Sequence, residues 1–320
     1  MTEHPSPIPP PAAPVVIDTD PGIDDTLALL LALRSPELDV RGISVSYGNT
    51  IVEHAHRNAL EILRRSGRRL PVAVGARRPL KRGLAVALET HGPSGLGYAA
   101  VPPAGSALDF VKPLERLLAD QPGPVTLVTL GPLTSLALAL RREPEVVRAK
   151  VARHVAMVGA FGAPGNTTPF SEFNAWCDPE ALAEVLAAQL PSELVGLDVT
   201  RKVVVTAKEV ERLTNSDDPD AQWLGEALRF YVDFHRMYEE LEGCVVNDVL
   251  PIAALIRPEC LVYRPLLIRV DLDDGDHRGH TRIDPDGQRA QVASDVRLGP
   301  VRALLTERVL PWLAPSEVGS

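Results

Sequence analysis

The sequence predicts an α/β fold. It favours a mostly parallel, Rossmann-like central sheet covered by helices on both faces, with a helical elaboration at the C-terminal end. Short β-branched runs alternate with helical patterns between residues 15 and 197, which is typical of parallel strands joined by crossover helices. The chain has 320 residues, a length that one large α/β domain can reach.

Strands and helices alternate regularly in the first part of the chain. The predicted strands are Val15–Ile17, Val40–Val45, Val72–Val74, Val125–Leu130, Val155–Val158 and Leu194–Leu197. The predicted helices are Asp24–Arg34, Ile51–Arg65, Ala107–Ala119, Pro132–Arg142 and Pro179–Ala188. Pro36 ends the first helix. Gly67 follows the second helix in the position of a C-cap. Pro132 suits the first turn of the helix that it begins. Ligands of such folds bind beyond the carboxyl ends of the strands.

The rhythm changes after Asp198. The pattern then predicts the helices Ala207–Leu213, Ala221–Leu241, Val249–Ile256 and Pro300–Leu313, a strand Leu266–Val270 and a polar hairpin Asp271–Asp284. Six prolines in residues 1–14 predict a disordered tail. We therefore expect a single domain over 15–314, with a short tail over 315–320.

Composition excludes several classes of protein. With 33 basic and 42 acidic residues the net charge is −9, which argues against a nucleic-acid partner. No apolar run approaches the ~18 residues of a membrane helix, and no signal peptide is visible. Three cysteines without CxxC spacing argue against a disulfide scaffold or a zinc site. We expect a cytoplasmic protein with no membrane partner.

The most informative segment is Asp18-Thr19-Asp20-Pro21-Gly22-Ile23-Asp24-Asp25, between the first strand and the first helix. Pro21-Gly22 predicts a turn there. The helix macrodipole favours Asp24 and Asp25 by only about 0.3–1 kcal/mol each, which is less than the mutual repulsion of four clustered carboxylates. A hard divalent cation resolves this conflict, and oxygen ligands indicate Ca²⁺ or Mg²⁺.

Other interpretations of this segment remain open. Asp24 alone could cap the helix, with the other carboxylates solvated. The segment is not an EF-hand, because Gly22 stands where that loop has a ligand. An aspartyl phosphatase would use Asp18 as nucleophile and Asp20 as acid/base, but it usually has Thr or Val at the position of Gly22.

The segment resembles the DTDPGxDD fingerprint of the inosine–uridine-preferring nucleoside hydrolase family. More of the family pattern follows in order, over about residues 15–312: Gly48-Asn49, His91-Gly92, Ser94-Gly95-Leu96-Gly97, Leu130-Gly131-Pro132-Leu133-Thr134, Gly165-Asn166, Glu172-Phe173-Asn174, Leu197-Asp198-Val199-Thr200 and Asp248. The resemblance implies hydrolysis of the N-glycosidic bond of a small-molecule ribonucleoside, to a free base and ribose, in purine or pyrimidine salvage. It also implies a homodimer or homotetramer.

The resemblance implies one Ca²⁺ per subunit, held by Asp20, Asp25, Asp248 and the backbone carbonyl of Leu130. Asp20 would be the general base that takes a proton from the attacking water, and Asp24 would bind a ribose hydroxyl and orient that water. The implied substrate-binding residues are Asp24, Asn49, Met157, Asn166, Glu172, Phe173, Asn174 and Asp248. For Met157 and Phe173, packing is an equal alternative, and for each asparagine alone the alternative is a turn.

One position departs from the family pattern. Well-studied members have a histidine before the late metal-binding aspartate, whereas this sequence has Asn247 before Asp248. Asparagine donates a hydrogen bond but cannot deliver a proton, and general acid catalysis contributes about 10²–10⁴-fold. The candidates for the proton donor are His91 and His235, and Asn247 is a candidate for binding the base. A weakly catalytic or non-catalytic riboside-binding protein is the alternative.

Other conspicuous residues have structural interpretations. Phe230, Phe234, Met237 and Leu241 follow helical spacing that favours core packing, which leaves Tyr231 and Tyr238 as the better candidates for contact with a base. The acidic hairpin Asp271–Asp286 suggests a second metal site, but Gly275, Gly279 and Thr281 favour an ordinary turn. Cys177 and Cys244 are expected to be packing residues.

Overall fold

The computed structural model describes residues 12–103 and 112–313. The strands are β1 (Ala13–Thr19), β2 (Leu38–Val45), β3 (Val72–Val74), β4 (Val125–Thr129), β5 (Val151–Met157), β6 (Ser192–Val195), β7 (Val204–Thr206), β8 (Gly243–Val245), β9 (Leu261–Val270), β10 (Thr281–Ile283) and β11 (Gln288–Val296).

Helices connect most of these strands. They are α1 (Ile23–Leu33), α2 (Val52–Arg65), α3 (Leu88–His91), α4 (Leu114–Ala119), α5 (Thr134–Arg142), α6 (Pro144–Lys150), α7 (Phe173–Cys177), α8 (Pro179–Ala187), α9 (Leu197–Thr200), α10 (Ala207–Thr214), α11 (Pro219–Glu239), α12 (Val249–Ile256) and α13 (Leu298–Leu304). Among the described residues, no helix combines the length and apolar character that crossing a membrane requires.

A nine-stranded sheet has the order β10-β9-β11-β6-β5-β4-β1-β2-β3. In this sheet the strands from β11 through β6, β5, β4, β1 and β2 to β3 pair in parallel. Strand β9 pairs antiparallel with both of its neighbours, β10 and β11. The strand order reverses at β1, which lies between β4 and β2. This is the topological switch point at which doubly wound folds bind ligands. The predicted fold class is therefore confirmed.

Two apolar clusters cover the faces of the sheet. One contains α1, whose residues are all buried, together with the inner faces of α2, α11 and α12. The other contains the apolar residues of α4, α5 and α8. Because α1 packs against both the sheet and α12, its sequence is apolar on every side rather than on one stripe.

The structure corrects several boundaries. Strand β1 begins at Ala13 rather than Val15. Pro14 within it pairs only with β2, so the N–H group that proline lacks takes no hydrogen bond away from β4. Pro132 precedes α5 instead of lying in its first turn. The predicted helix Pro300–Leu313 is α13 from Leu298, followed by a π-helical turn over Leu305–Val309 and a 3₁₀ turn.

The C-terminal part contributes strands as well as helices. The predicted strand Leu266–Val270 is the second half of β9, and β10 and β11 extend the main sheet beside it. Helix α4 begins at Leu114, and the earlier residues of the predicted helix Ala107–Ala119 lie mostly outside the described residues. Most of the predicted tail 1–14, residue 314 and all of the tail 315–320 also lie outside them.

Candidate active site

A polar pocket lies beyond the carboxyl ends of the parallel strands. Most of the residues singled out in the sequence line it: Asp24, Asn49, His91, Leu130, Met157, Asn166, Glu172, Phe173, Asn174, Tyr231, His235, Asn247 and Asp248. The tertiary structure thus brings together segments that are far apart in the chain. Asp20 and Asp25 are fully buried at its acidic end.

The carboxylates of Asp24, Asp25 and Asp248 form a compact cluster, with one oxygen of each lying within 4.8 Å of the others. Asp24 and Asp25 lie in the first turn of α1, and Asp248 immediately precedes α12. Since α1 and α12 pack against each other, their N-termini meet, and both macrodipoles favour negative charge there. This packing is what brings the distant Asp248 to the acidic segment.

Asp20 follows β1 and is held by the backbone of the neighbouring loops. Its Oδ2 accepts a hydrogen bond of 2.7 Å from the backbone N–H of Asn49. A Cβ at Gly131 would lie 2.5 Å from Asp20 Oδ1, and a Cβ at Gly48 would overlap Oδ2. Both glycines of the sequence pattern are therefore needed to leave room for this carboxylate.

Asp25 is oriented by several hydrogen bonds. Its Oδ1 accepts from the hydroxyl of Thr19, and its Oδ2 accepts from the Gly22 N–H at 2.9 Å and from Asn49 Nδ2 at 2.7 Å. Because the amide nitrogen of Asn49 is used in this way, its Oδ1 is the atom left to accept a bond from a ligand.

Burial and the negative charge of neighbouring carboxylates make Asp20, Asp24 and Asp248 reluctant to ionise. Burial, then the charge of Asp25, raises the pKa of Asp24 to about 7. Burial and the neighbouring carboxylates raise the pKa values of Asp20 and Asp248 well above the usual range. Among the described residues, Asp20 Oδ1 and Asp24 Oδ1 are buried without a hydrogen-bond partner. Unpartnered oxygens in a cluster of carboxylates fit a hard divalent cation.

Asp18 lies apart from this cluster. It is fully buried in β1, and burial raises its pKa to about 7, an effect that the nearby hydroxyls of Ser44 and Ser135 partly offset. It does not line the pocket. Of the four carboxylates in the sequence segment, Asp24 and Asp25 cluster with Asp248, Asp20 lies near enough for the charges to raise one another's pKa values, and Asp18 stands apart.

The opposite wall of the pocket is built around Glu172. This residue caps α7, accepting bonds from the N–H groups of Asn174 at 2.7 Å and Ala175 at 3.1 Å. Its second oxygen also accepts from the Gly159 N–H at 3.0 Å. Asn174 in turn donates to the carbonyl of Leu130 at 2.7 Å. Glu172 therefore positions α7, and only its Oε1, which accepts a single bond, retains capacity for one more.

Asn166 and Phe173 lie at the pocket mouth. The Oδ1 of Asn166 accepts from the N–H of Phe173 at 2.9 Å, which leaves the amide Nδ2 available to a ligand. The loop that carries Asn166 is anchored by Asp198, which accepts from the N–H groups of Phe161 and Ala163 at 2.9 and 3.0 Å.

A group of pocket residues was not predicted from the sequence. Arg201 and Glu239 form an ion pair of 2.6 Å that lines the pocket. The hydroxyl of Thr200 donates to Oδ1 of Asn247 at 2.8 Å. The signal in the sequence for this group is that Thr200 ends the matched motif Leu197-Asp198-Val199-Thr200 and that Arg201 follows it directly.

His91 is buried at the N-terminus of α1. Its Nδ1 accepts a bond of 3.1 Å from the N–H of Ile23, which places the ring proton on Nε2. Burial, with a contribution from His235, lowers the pKa of His91 to about 3. His91 is thus a neutral imidazole that can donate a hydrogen bond through Nε2.

His235 and Tyr231 face the pocket from α11. Both ring nitrogens of His235 have backbone partners, the carbonyl of Tyr231 at 2.8 Å and the N–H of Val245 at 3.4 Å. The hydroxyl of Tyr231 lies 3.4 Å from Asp24 Oδ2. Tyr238 is 60% exposed and Met237 is 73% exposed. Tyr238 does not line the pocket, and the prediction that Met237 packs in the core was wrong.

Comparison with known proteins identifies the family of the chain. A family model described as inosine-uridine preferring nucleoside hydrolase matches residues 15–303. The chain belongs to this family, and the expected class of enzyme, a nucleoside hydrolase, is confirmed.

Individual relatives cover nearly the whole chain. The pyrimidine-specific ribonucleoside hydrolase RihA of Citrobacter koseri is 39% identical over 278 residues, which are 85% of this chain and 88% of that protein. The probable uridine nucleosidase 2 of Oryza sativa subsp. japonica is 37% identical over 283 residues, covering 87% of this chain and 83% of that protein.

Solved structures share the fold. A plant nucleoside hydrolase, the PpNRh1 enzyme, superposes with a TM-score of 0.84 at 34% identity, covering 96% of this chain and all of that one. The purine-preferring ribonucleoside hydrolase from Gardnerella vaginalis gives a TM-score of 0.85 at 27% identity, covering 93% and 98%.

Proposed function

We propose that this protein hydrolyses the N-glycosidic bond of ribonucleosides at the pocket beyond β1 and β4, with one Ca²⁺ in the acidic cluster. The observation that carries the proposal is the buried, unpartnered Oδ1 of Asp20 beside three clustered carboxylates at the pocket floor. The similarity to ribonucleoside hydrolases, RihA of Citrobacter koseri and the purine-preferring enzyme of Gardnerella vaginalis, supports this substrate class.

Asp20, Asp25, Asp248 and the carbonyl of Leu130 would hold the ion, with Asp24 close enough to join them. When bound, the ion supplies a Lewis acid and a template for a water and a vicinal diol. An all-oxygen donor set favours Ca²⁺ or Mg²⁺ over transition metals. The carbonyl oxygen of Leu130 already accepts one hydrogen bond from Asn174. Its second lone pair remains available for the ion.

The chain's own residues perform the remaining steps. Asp20 accepts a proton from the attacking water, a task suited to a carboxylate whose proton affinity is raised by burial and by its neighbours. Asp24 accepts a bond from a ribose hydroxyl. The Asn49 Oδ1, Asn166 Nδ2 and Asn174 Oδ1 atoms are left free by the internal hydrogen bonds and suit the other sugar hydroxyls.

Charge development also suits this site. The transition state of glycoside hydrolysis resembles an oxocarbenium ion. Asp24 and Glu172 line the pocket in which the sugar would lie, so their carboxylates stabilise positive charge on the ribose.

The base would occupy the side of the pocket formed by His91, Tyr231, His235 and Asn247. Asn247 presents its Nδ2 donor, because its oxygen is bound to Thr200. The leaving base is then stabilised by hydrogen bonds from Asn247 and from Nε2 of the neutral His91. It departs without a proton from residue 247.

The experiment is ribose release from a panel of purine and pyrimidine ribonucleosides, each paired with its 2′-deoxy form. We expect release from ribonucleosides in the presence of Ca²⁺, strong discrimination against the deoxy forms because they lack the vicinal diol, and loss of release after chelation. Tight binding of ribonucleosides without release would favour the non-catalytic alternative, and hydrolysis of a generic phosphate ester would favour the phosphatase.

A further inference from the structure

A second group of potential metal ligands lies in the hairpin between β9 and β10. Asp271, His277 and His280 each offer one ligand atom, and these atoms all lie within 4.8 Å of one another. The sequence favours an ordinary turn here, and Gly275 and Gly279 do adopt positive φ values of 100° and 76°. The turn explains the glycines but does not require two histidines beside an aspartate.

Backbone hydrogen bonds hold the three side chains at one end of the hairpin. The N–H of Asp271 donates to the carbonyl of His280, and the N–H of His280 donates to the carbonyl of His277, both at 2.9 Å. The N–H of Gly279 donates back to the carbonyl of Asp271 at 2.9 Å. The three candidate ligands therefore belong to one closed, internally bonded turn.

The hairpin is docked firmly on the rest of the protein. The guanidinium of Arg278 lies 4.1 Å from the ring of Trp176 in α7, and a Cβ at Gly279 would lie 2.6 Å from the carbonyl oxygen of Ala175. The ring of His277 stacks on Phe170 with centroids 4.1 Å apart. These contacts orient the ligands before any ion arrives, which lowers the entropic cost of binding.

One of the candidate ligand atoms has no hydrogen-bond partner within the described part of the chain. The Nδ1 of His280 is buried without a hydrogen-bond partner among the described residues and lies 3.6 Å from Asp271 Oδ2. Arg282 donates to the other oxygen of Asp271 at 2.9 Å. That bond orients the carboxylate as outer-shell partners do in metal sites and leaves Oδ2 for an ion.

We propose that Asp271, His277 and His280 form a site for a first-row transition-metal ion such as Zn²⁺, separate from the acidic cluster. Two imidazoles and one carboxylate, completed by water, are a common donor set for Zn²⁺ and do not suit Ca²⁺ or Mg²⁺. Ligand atoms around Zn²⁺ are about 3.3 Å apart, so small side-chain rotations bring the three atoms to coordinating positions.

The test measures Co²⁺ binding to the full chain in excess Ca²⁺, which occupies the all-oxygen cluster. We expect one Co²⁺ per chain, with visible absorption bands of nitrogen-ligated Co²⁺, and displacement of the Co²⁺ by Zn²⁺. His277→Ala and His280→Ala should weaken binding by at least about tenfold, because each removes one of three protein ligands. Asp273→Asn, an exposed carboxylate of the same hairpin outside the ligand set, is the matched control and should bind like wild type.

Equal Co²⁺ binding by wild type and both histidine variants would overturn the proposal, and so would the absence of such binding by wild type. His277 is exposed, so His277→Ala should fold even if His280→Ala does not. Thermal unfolding with and without Zn²⁺ gives an independent readout, since an ion that binds only the folded state raises the unfolding temperature. That increase should be smaller in His277→Ala and unchanged in Asp273→Asn.

Discussion

The hydroxyl of Thr200 donates a 2.8 Å hydrogen bond to the side-chain oxygen of Asn247. This bond fixes which way the amide faces, because only its nitrogen remains free. Residue 247 immediately precedes Asp248 of the acidic cluster, so the donor lies next to that cluster, where we propose that the sugar and base sides of the pocket meet. It can bind a leaving base but cannot protonate it.

Asn247→His should therefore accelerate the hydrolysis of ribosides whose base is a poor leaving group. A histidine there restores a group that can deliver a proton, and the gain can reach about 10²-fold, within the range of general acid catalysis. A nitrophenyl riboside, whose leaving group needs no proton, should gain little. Steady-state kcat/KM for both substrates checks this, and equal changes on the two would contradict it.

His91 should act as a neutral hydrogen-bond donor rather than as an imidazolium acid. With a pKa near 3, below the usual value of about 6.5, it stays uncharged across the neutral range. We expect His91→Gln to lower kcat/KM without changing the shape of the pH–rate profile between pH 5 and 8. An alkaline limb that is present in wild type and missing in His91→Gln would show that His91 transfers the proton.

Asp20→Asn should abolish turnover while stabilising the metal-free protein. Loss of the general base is expected to lower kcat by at least about 10²-fold. The pKa of Asp20 is raised in the folded state, so above the unfolded value of about 3.9 its ionisation disfavours folding, and the neutral amide removes that penalty.

Thermal unfolding in chelator measures the stability effect. Chelated Asp20→Asn should melt a few degrees above chelated wild type, whereas adding Ca²⁺ should stabilise wild type more than the variant. If chelation left wild-type stability and activity untouched, the proposed Ca²⁺ would have no support.

Gly131→Ala should disturb Asp20 without disturbing the fold. The new Cβ would lie 2.5 Å from Asp20 Oδ1, so the carboxylate must move, and a displacement of about 1 Å can reduce turnover about 10²-fold. Gly123→Ala is the matched control, because its Cβ would meet nothing within 4 Å. Activity assays with circular dichroism distinguish the two; the prediction fails if both variants retain wild-type turnover.

Asp18→Asn should change the pH dependence of stability and leave catalysis largely intact. The pKa of Asp18 is about 7 in the folded protein, against about 3.9 when unfolded. The penalty for burying its charge therefore grows as the pH rises through this interval and is relieved as the pH falls.

The free energy of unfolding of Asp18→Asn should thus exceed that of wild type by up to a few kcal/mol at pH 8, with little difference at pH 4. Denaturant titrations at several pH values measure this, with the exposed Asp217→Asn as control. Loss of hydrolysis in a folded Asp18→Asn would instead place Asp18 in the chemistry, as the phosphatase interpretation requires.

Local patterns were sufficient to predict the fold class and the position of the acidic segment. β-Branched runs and helical periodicity depend on near neighbours in the chain, and Asp18–Asp25 is contiguous. The boundaries of β1 and of the C-terminal helix were less accurate, because pairing partners and packing decide where a strand or helix ends.

The sequence alone determined that four aspartates follow one another closely at the end of the first strand and that residue 247 is an asparagine, since both facts are set by the order of residues along the chain. Only the tertiary structure decided that Asp18 lies apart while Asp248 joins the cluster, because the packing of α12 against α1 sets that distance. It also decided that the bond from Thr200 orients the Asn247 amide, that burial keeps His91 neutral, and that the bond from Ile23 leaves the ring proton on Nε2. Side-chain direction and protonation depend on partners that come together only when the chain folds.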